Sequence, residues 1–220
     1  TNASGNPDMS PDGIHIVFES SATNFPASNS FNHIYYVDTS VTHTVEQISV
    51  AAGIGGAEAN ADSNKPSISN DGSTMVFHTN ATNLDVLDNN GVADVYLHYR
   101  PSVFTSLISA NPDNGGSGNN ASSNAHISGN ADYVVFESLA SDLDLASGSK
   151  LNVSDILVRD LSAWPGIIIE KVDNPPSTLD SNEPAISTDG RYVSFHSAEK
   201  YSDDTDTLSD VFRAHNSTHP

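Results

Sequence analysis

The sequence predicts an all-β fold made of four repeated sheets. Three observations predict it. A serine-turn-strand segment recurs four times at one spacing. The apolar residues come in short β-branched and aromatic runs, separated by Asn, Asp, Ser and Gly. Nothing reads as an amphipathic helix of useful length.

The first element of each unit, strand A, ends on a serine before a turn. The four copies read "PDMSPDG", "PSISNDG", "AHISGNA" and "PAISTDG". Their serines, Ser10, Ser69, Ser128 and Ser187, stand 59 residues apart each time. Strand B follows as "IHIVFES", "STMVFHT", "DYVVFES" and "RYVSFHS", and Phe18, Phe77, Phe136 and Phe195 keep the same spacing. Strand C follows as "HIYYVD", "DVYLHY", "DILVRD" and "DVFRAH". Strand D appears in three copies only, "VEQISV", "FTSLIS" and "IIIEKV". Val, Ile, Phe and Tyr dominate these runs, as strands require. An Asp-Gly turn joins A to B and a longer polar loop joins B to C. C to D is short, and a Gly/Asn/Ser-rich stretch leads to the next A. Four antiparallel strands per period of about 40 to 60 residues is the signature of a β-propeller blade. One blade cannot bury both faces, so neighbouring blades must cover it, and the recurring phenylalanine is the residue they cover.

The pattern Ser-x-Asp-Gly, an aromatic-aliphatic strand, then "ATNL…D.N…DV" resembles the propeller repeats of the TolB type. The segment "ATNLDVLDNNGVADVYLH" (81–98) carries the likeness best, and "ISTDGRYVSFHS" (186–197) is next. The third repeat departs from it, with Gly129-Asn130-Ala131 in place of x-Asp-Gly. The resemblance spans nearly the whole chain. It implies a secreted or periplasmic β-propeller, and the fold does not by itself name a function. Residues 1–220 are read as one propeller domain, with repeats at about 7–65, 66–124, 125–183 and 184–220. The expected form has four blades, the last incomplete, because "DVFRAH" (210–215) is followed by no strand D. Three outcomes stay open there. The last blade has three strands in a closed ring, a partner donates a strand to its open edge, or the chain is part of a longer propeller.

Composition narrows function by exclusion. There are 28 acidic residues against 8 basic ones, a net of −20. A field of that sign opposes phosphate backbones and anionic lipids, and favours cations or basic partners. No apolar run approaches the roughly 18 residues that span a membrane. The absence of cysteine excludes disulfides, thiolate metal sites and cysteine nucleophiles. No Gly-x-Ser-x-Gly elbow and no phosphate loop before a helix occurs. The single Trp164 lies at a C–D turn, suited to packing or to a sugar-stacking platform.

Two constellations carry chemistry. The B–C loops collect oxygen donors: Asp85, Asp88, Asn90 and Asp94 in the second unit, Asp142, Asp144 and Asp155 in the third, and Asp203, Asp204, Asp206 and Asp210 in the fourth. Oxygen ligands at alternate positions suit Ca²⁺, and the same residue types also cap turns. The second constellation follows the aligned phenylalanine, where Glu19, His78, Glu137 and His196 alternate. Converging on a pseudo-fourfold axis, two imidazoles and two carboxylates would suit one transition-metal ion. Against convergence, strand A rather than strand B normally lines a propeller axis. The remaining histidines read as surface or strand residues. The expected function is a non-enzymatic extracellular binding or scaffolding propeller for a protein or glycan partner, with structural metal as an option and self-assembly through the open edge as another. The alternative is a metal-binding or metal-dependent protein using the Glu/His/Glu/His ring.

Overall fold

The computed structural model describes residues 3–27, 29–41, 44–143, 152–162, 168–172, 179–198 and 209–217. Its strands fall into four antiparallel sheets of consecutive strands. Blade 1 holds β1 (Ser4–Met9), β2 (His15–Ser20), β3 (His33–Asp38) and β4 (Val45–Gln47). Blade 2 holds β5 (Ser63–Ile68), β6 (Thr74–Thr79), β7 (Asp94–Tyr99) and β8 (Phe104–Leu107). Blade 3 holds β9 (Ser122–Ile127), β10 (Tyr133–Ser138), β11 (Asp155–Asp160) and β12 (Ile168–Lys171). Blade 4 has three described strands, β13 (Ser181–Ile186), β14 (Tyr192–Ser197) and β15 (Asp210–His215). The expected four-blade architecture, with its shorter last sheet, is the one observed.

The repeating serine explains itself at the first turn of each blade. Its hydroxyl donates to the turn residue two positions on, Asp12, Asp71, Asn130 or Asp189, at 2.5–2.7 Å. The same oxygen accepts the amide of His15, Thr74, Tyr133 or Tyr192 at 2.9–3.1 Å. One side chain thus fixes the loop and the first amide of the next strand. The residue after the aspartate must then turn left-handed, and Gly13, Gly72 and Gly190 do so at φ 75°, 67° and 76°. In the third blade Ala131 takes the same turn at φ 62°. The departure at Gly129-Asn130-Ala131 therefore leaves the fold intact and strains one residue. Replacing Ala131 by Gly should stabilise the chain by roughly 0.5–1 kcal/mol, read as a raised urea midpoint with unchanged slope.

Strands alternate faces, so each blade has one side towards the blade before it and one towards the blade after. Val17, Ile34 and Tyr36 form one core cluster with Ile68, Met75 and Phe77 of blade 2. Val76, Val95 and Leu97 do the same with Ile127, Val134 and Phe136 of blade 3. Val135, Ile156 and Val158 do so with Val193 and Phe195 of blade 4. The fourth copy of this outgoing set is Ser194, Val211 and Arg213, all exposed. Val211 is 79% exposed, whereas its counterparts Ile34, Val95 and Ile156 are fully buried. At the other end Met9 is 55% exposed, against 7% and 6% for Ile68 and Ile127. Among the described residues, β13 and β14 make no packing on β1 or β2 comparable to that between successive blades. The polar Ser194 and Arg213 give the physical reason: the last outgoing face carries little apolar area to drive closure.

Buried polar groups reinforce the junctions. The Arg159 guanidinium of β11, only 2% exposed, donates to the carbonyls of Leu107 and Ile108 in the preceding blade. His98 of β7 bonds through Nδ1 to the Thr105 hydroxyl at 2.9 Å, and that hydroxyl donates to the Val50 carbonyl at 2.7 Å. Nδ1 therefore carries the proton, and the imidazole is neutral. Burial pushes its pKa down to about 4. The unfolded chain binds this proton near pH 6.5. The stability His98 confers is thus complete above pH 6.5 and is lost as pH falls from there towards 4. The loss should reach roughly 3 kcal/mol, and urea unfolding at several pH values, with His98→Leu flattening the slope, checks it.

Candidate functional site: the central channel

The channel is walled by the first strand of every blade, and the wall is built by a bulge. Each first strand carries one extra residue against the second, so that two residues, 6–7, 65–66, 124–125 and 183–184, oppose a single one. The first residue of each pair, Asn6, Lys65, Asn124 and Glu183, takes a positive φ of 43–53°. These are non-glycine residues in a sparsely populated conformation, repeated at four equivalent positions. Proline follows three of them, at Pro7, Pro66 and Pro184, where a ladder N–H is already absent. The bulges were not read from the sequence. The signal was present as prolines inside otherwise regular strands.

The sequence offered Glu19, His78, Glu137 and His196 as an axial ring, against the usual lining of a propeller axis by strand A. The structure places them on the second strands, behind the bulges. The Glu19 carboxylate accepts the Lys65 amide of the next blade at 2.7 Å. Glu137 likewise accepts the Glu183 amide at 3.1 Å, and also bonds Ser123 and Asn124 of its own blade. The two glutamates thus hold the strained bulges of blades 2 and 4. His78 and His196 occupy the alternate positions, and the Nδ1 atom of each is buried without a partner among the described residues. Burial, then the Lys65 charge, lowers the His78 pKa, while Glu137 and Glu19 pull it back up. Among the described residues no three His, Asp or Glu side chains form a group able to hold a metal ion.

The second-unit loop residues have structural partners. Asp85 accepts the Leu87 and Leu107 amides. Asp88 accepts the Tyr96 hydroxyl at 2.8 Å, and Asp94 the Ser109 hydroxyl at 2.6 Å. Asn90 accepts the Val92 amide and donates to the Gly118 carbonyl. Burial pushes the Asp94 carboxyl up to about 7, with Asp88 adding to the rise against the Ser109 bond. Asp142 bonds Asn111 and Asn119, and Asp155 bonds Lys171. Asp210 is exposed on β15. Asp144, Asp203, Asp204 and Asp206, together with Trp164, lie outside the described residues.

What opens to the channel is a different set. A cavity of about 420 Å³ is lined by Asp8, Lys65, Asn124, His126 and Glu183 with the bulge prolines. Lys65 donates to Asn124 Oδ1 at 2.6 Å, and Asp8 accepts the amides of Met9 and Ile68. His126 is exposed to the channel, yet the surrounding protein lowers its pKa through burial; Asp8 opposes that shift and Lys65 adds to it. A neutral imidazole, an ammonium and two carboxylates therefore face one cavity, a set that recognises mixed polar groups rather than a uniform charge.

No family model matches the chain, and no curated protein matches it. Solved structures do. TolB from Acinetobacter baumannii is similar at 19% identity and TM-score 0.53, over 89% of this chain and 38% of that one. A protein of Agrobacterium tumefaciens described as TolB is similar at 17% identity and TM-score 0.60, over 97% and 58%. The fold is a TolB-type β-propeller. The β-propeller domain of the Trilobed protease from Pyrococcus furiosus, described as having an open velcro topology, is also similar, at 10% identity and TM-score 0.55, over 98% and 55%. This propeller chain spans 38–58% of the length of those three. At such identities the likeness concerns the fold.

Proposed function

We propose that this chain is a non-enzymatic binding propeller that takes a protein segment at its central channel. The observation that carries the reading is the channel wall: four bulges held in a strained conformation, two of them fixed by a carboxylate from the blade before, present Asp8, Lys65, His126 and Glu183 to one cavity. Strain maintained at four equivalent positions is characteristic of sites where geometry serves recognition. The TolB-type fold supports a protein partner. A glycan partner is less suited to this cavity, whose lining holds no Phe, Tyr or Trp ring for a sugar to stack on. The same fold supports a secreted or periplasmic location, and no helix among the described residues is long and apolar enough to cross a membrane.

Peptides selected from a random display library on the whole chain test the reading. Their binding should move the amides of 6, 8, 65, 124–126 and 183, and Lys65→Ala with His126→Ala should weaken it at least about tenfold. Selected peptides that bind elsewhere and ignore both substitutions would overturn it. The metal alternative rests on the two unpartnered imidazoles, His78 and His196. Elemental analysis of the purified chain tests it, since one transition-metal ion per chain, lost in His78→Ala, is what that reading requires. Calcium lost in Asp94→Asn would assign the second-unit loop instead.

A further inference from the structure

The grooves between successive blades differ in one informative way. Between blades 1 and 2 the groove is closed by Arg100, which follows β7. Its guanidinium lies 3.6 Å from the centre of the Tyr36 ring and pairs with Glu46 at 2.9 Å. Between blades 2 and 3 every member of that plug is replaced. Tyr36 and Glu46 are cross-strand partners, and their counterparts in the next blade are the partners Leu97 and Ser106. The residue that follows β11, as Arg100 follows β7, is Leu161. Smaller, uncharged side chains stand where a planar cation, an aromatic ring and a carboxylate filled the groove before.

The result is a cavity of about 400 Å³, the size of small-molecule sites. Leu97, Ile108 and Leu161 form its apolar floor. Tyr99 and Phe104 stand at its mouth, 40% and 39% exposed. Val103 precedes Phe104 at φ 50°, a conformation a β-branched residue rarely takes, held by the hydrogen bond its N–H donates to the Arg100 carbonyl and by the one its own carbonyl accepts from the Gly53 N–H. The turn of blade 2 adds the Asp71 carboxylate, and the chain as a whole carries a net charge of −20.

We propose that this cavity binds an arylalkylamine, its ring between the Tyr99 and Phe104 side chains and the apolar floor, its ammonium towards Asp71. Charge complementarity selects the cation, and the filled groove one blade earlier shows the same chemistry within the chain, a planar cation on an aromatic ring beside a carboxylate. The site is separate from the channel and does not depend on what the channel binds.

Titration of the whole chain with 2-phenylethylamine, followed by amide chemical shifts, tests the proposal. A dissociation constant on the order of 1 mM is expected, with shifts at 104–108, 131 and 161. Phenylacetate, of like size and opposite charge, should bind at least about tenfold more weakly. Leu161→Arg, which puts back the cation of the first groove's plug, should abolish binding. Asp71→Asn should weaken it about tenfold while keeping the turn, since Asn130 makes that turn in blade 3. Equal binding of the two probes, unchanged binding in both variants, shifts confined to the channel residues, or no shift at about 10 mM amine would each overturn the proposal.

Discussion

Phe136→Ala should cost the chain about 3–5 kcal/mol, a large share of the stability of a folded domain. Phe136 is fully buried between blades 2 and 3, in one cluster with Val76, Val95 and Leu143. Its removal leaves a cavity at a junction whose two sheets are each held by other blades, so collapse can fill little of it. The same substitution at Phe18 should cost about half as much or less. Phe18 occupies the equivalent position but is only half-buried, covered by Phe25 and Tyr35 of its own blade and by no preceding blade among the described residues. Urea unfolding of both variants checks the contrast. Equal losses would mean that the first blade is covered as fully as the third.

Breaking the Asp155–Lys171 pair should be as damaging. Both side chains are buried, at 0% and 1% exposure, and they bond directly between β11 and β12. Asp155→Asn leaves the ammonium of Lys171 inside the blade without its counter-charge, at a cost of about 3–5 kcal/mol. Replacing both partners together, as in Asp155→Val with Lys171→Met, should recover most of that loss, because neither charge then has to be desolvated. The comparison is made by thermal and urea unfolding of the single and double variants. A double variant as unstable as the single one would show that the pair fixes the blade in some way beyond its charge balance.

The blades were legible in the sequence because their determinants are local. Ser69 and its three counterparts mark a turn whose bonds span five residues, and Phe77 and its counterparts mark a strand centre. The period followed from those alone. The channel wall was not legible, because a bulge is a relation between two strands and shows only weakly in either one. Pro66 in "SNKPSIS" was its trace. The placement of Glu19 illustrates the limit. Its alternation with His78 was visible, but its carboxylate accepts the Lys65 amide and Glu19 is not in the lining of the channel cavity. The loop aspartates suit both Ca²⁺ and turn capping by their spacing; of those described, Asp85, Asp88 and Asp94 accept amides and hydroxyls. The uncovered outgoing face of the last blade was readable in principle. Ser194 and Arg213 break a triad that is otherwise Val, Ile, Leu or Tyr.

The arrangement of blades, each covered by the next and the last left open, is tested most directly by native-state hydrogen exchange of the whole chain. The account predicts that amides of β6 and β10, buried between two neighbours, exchange slowest. Those of β1 and β15 should exchange at least about tenfold faster, because each lies on a blade covered from one side only. Protection of β1 and β15 equal to that of β6 would contradict it, and would mean that blade 4 closes onto blade 1.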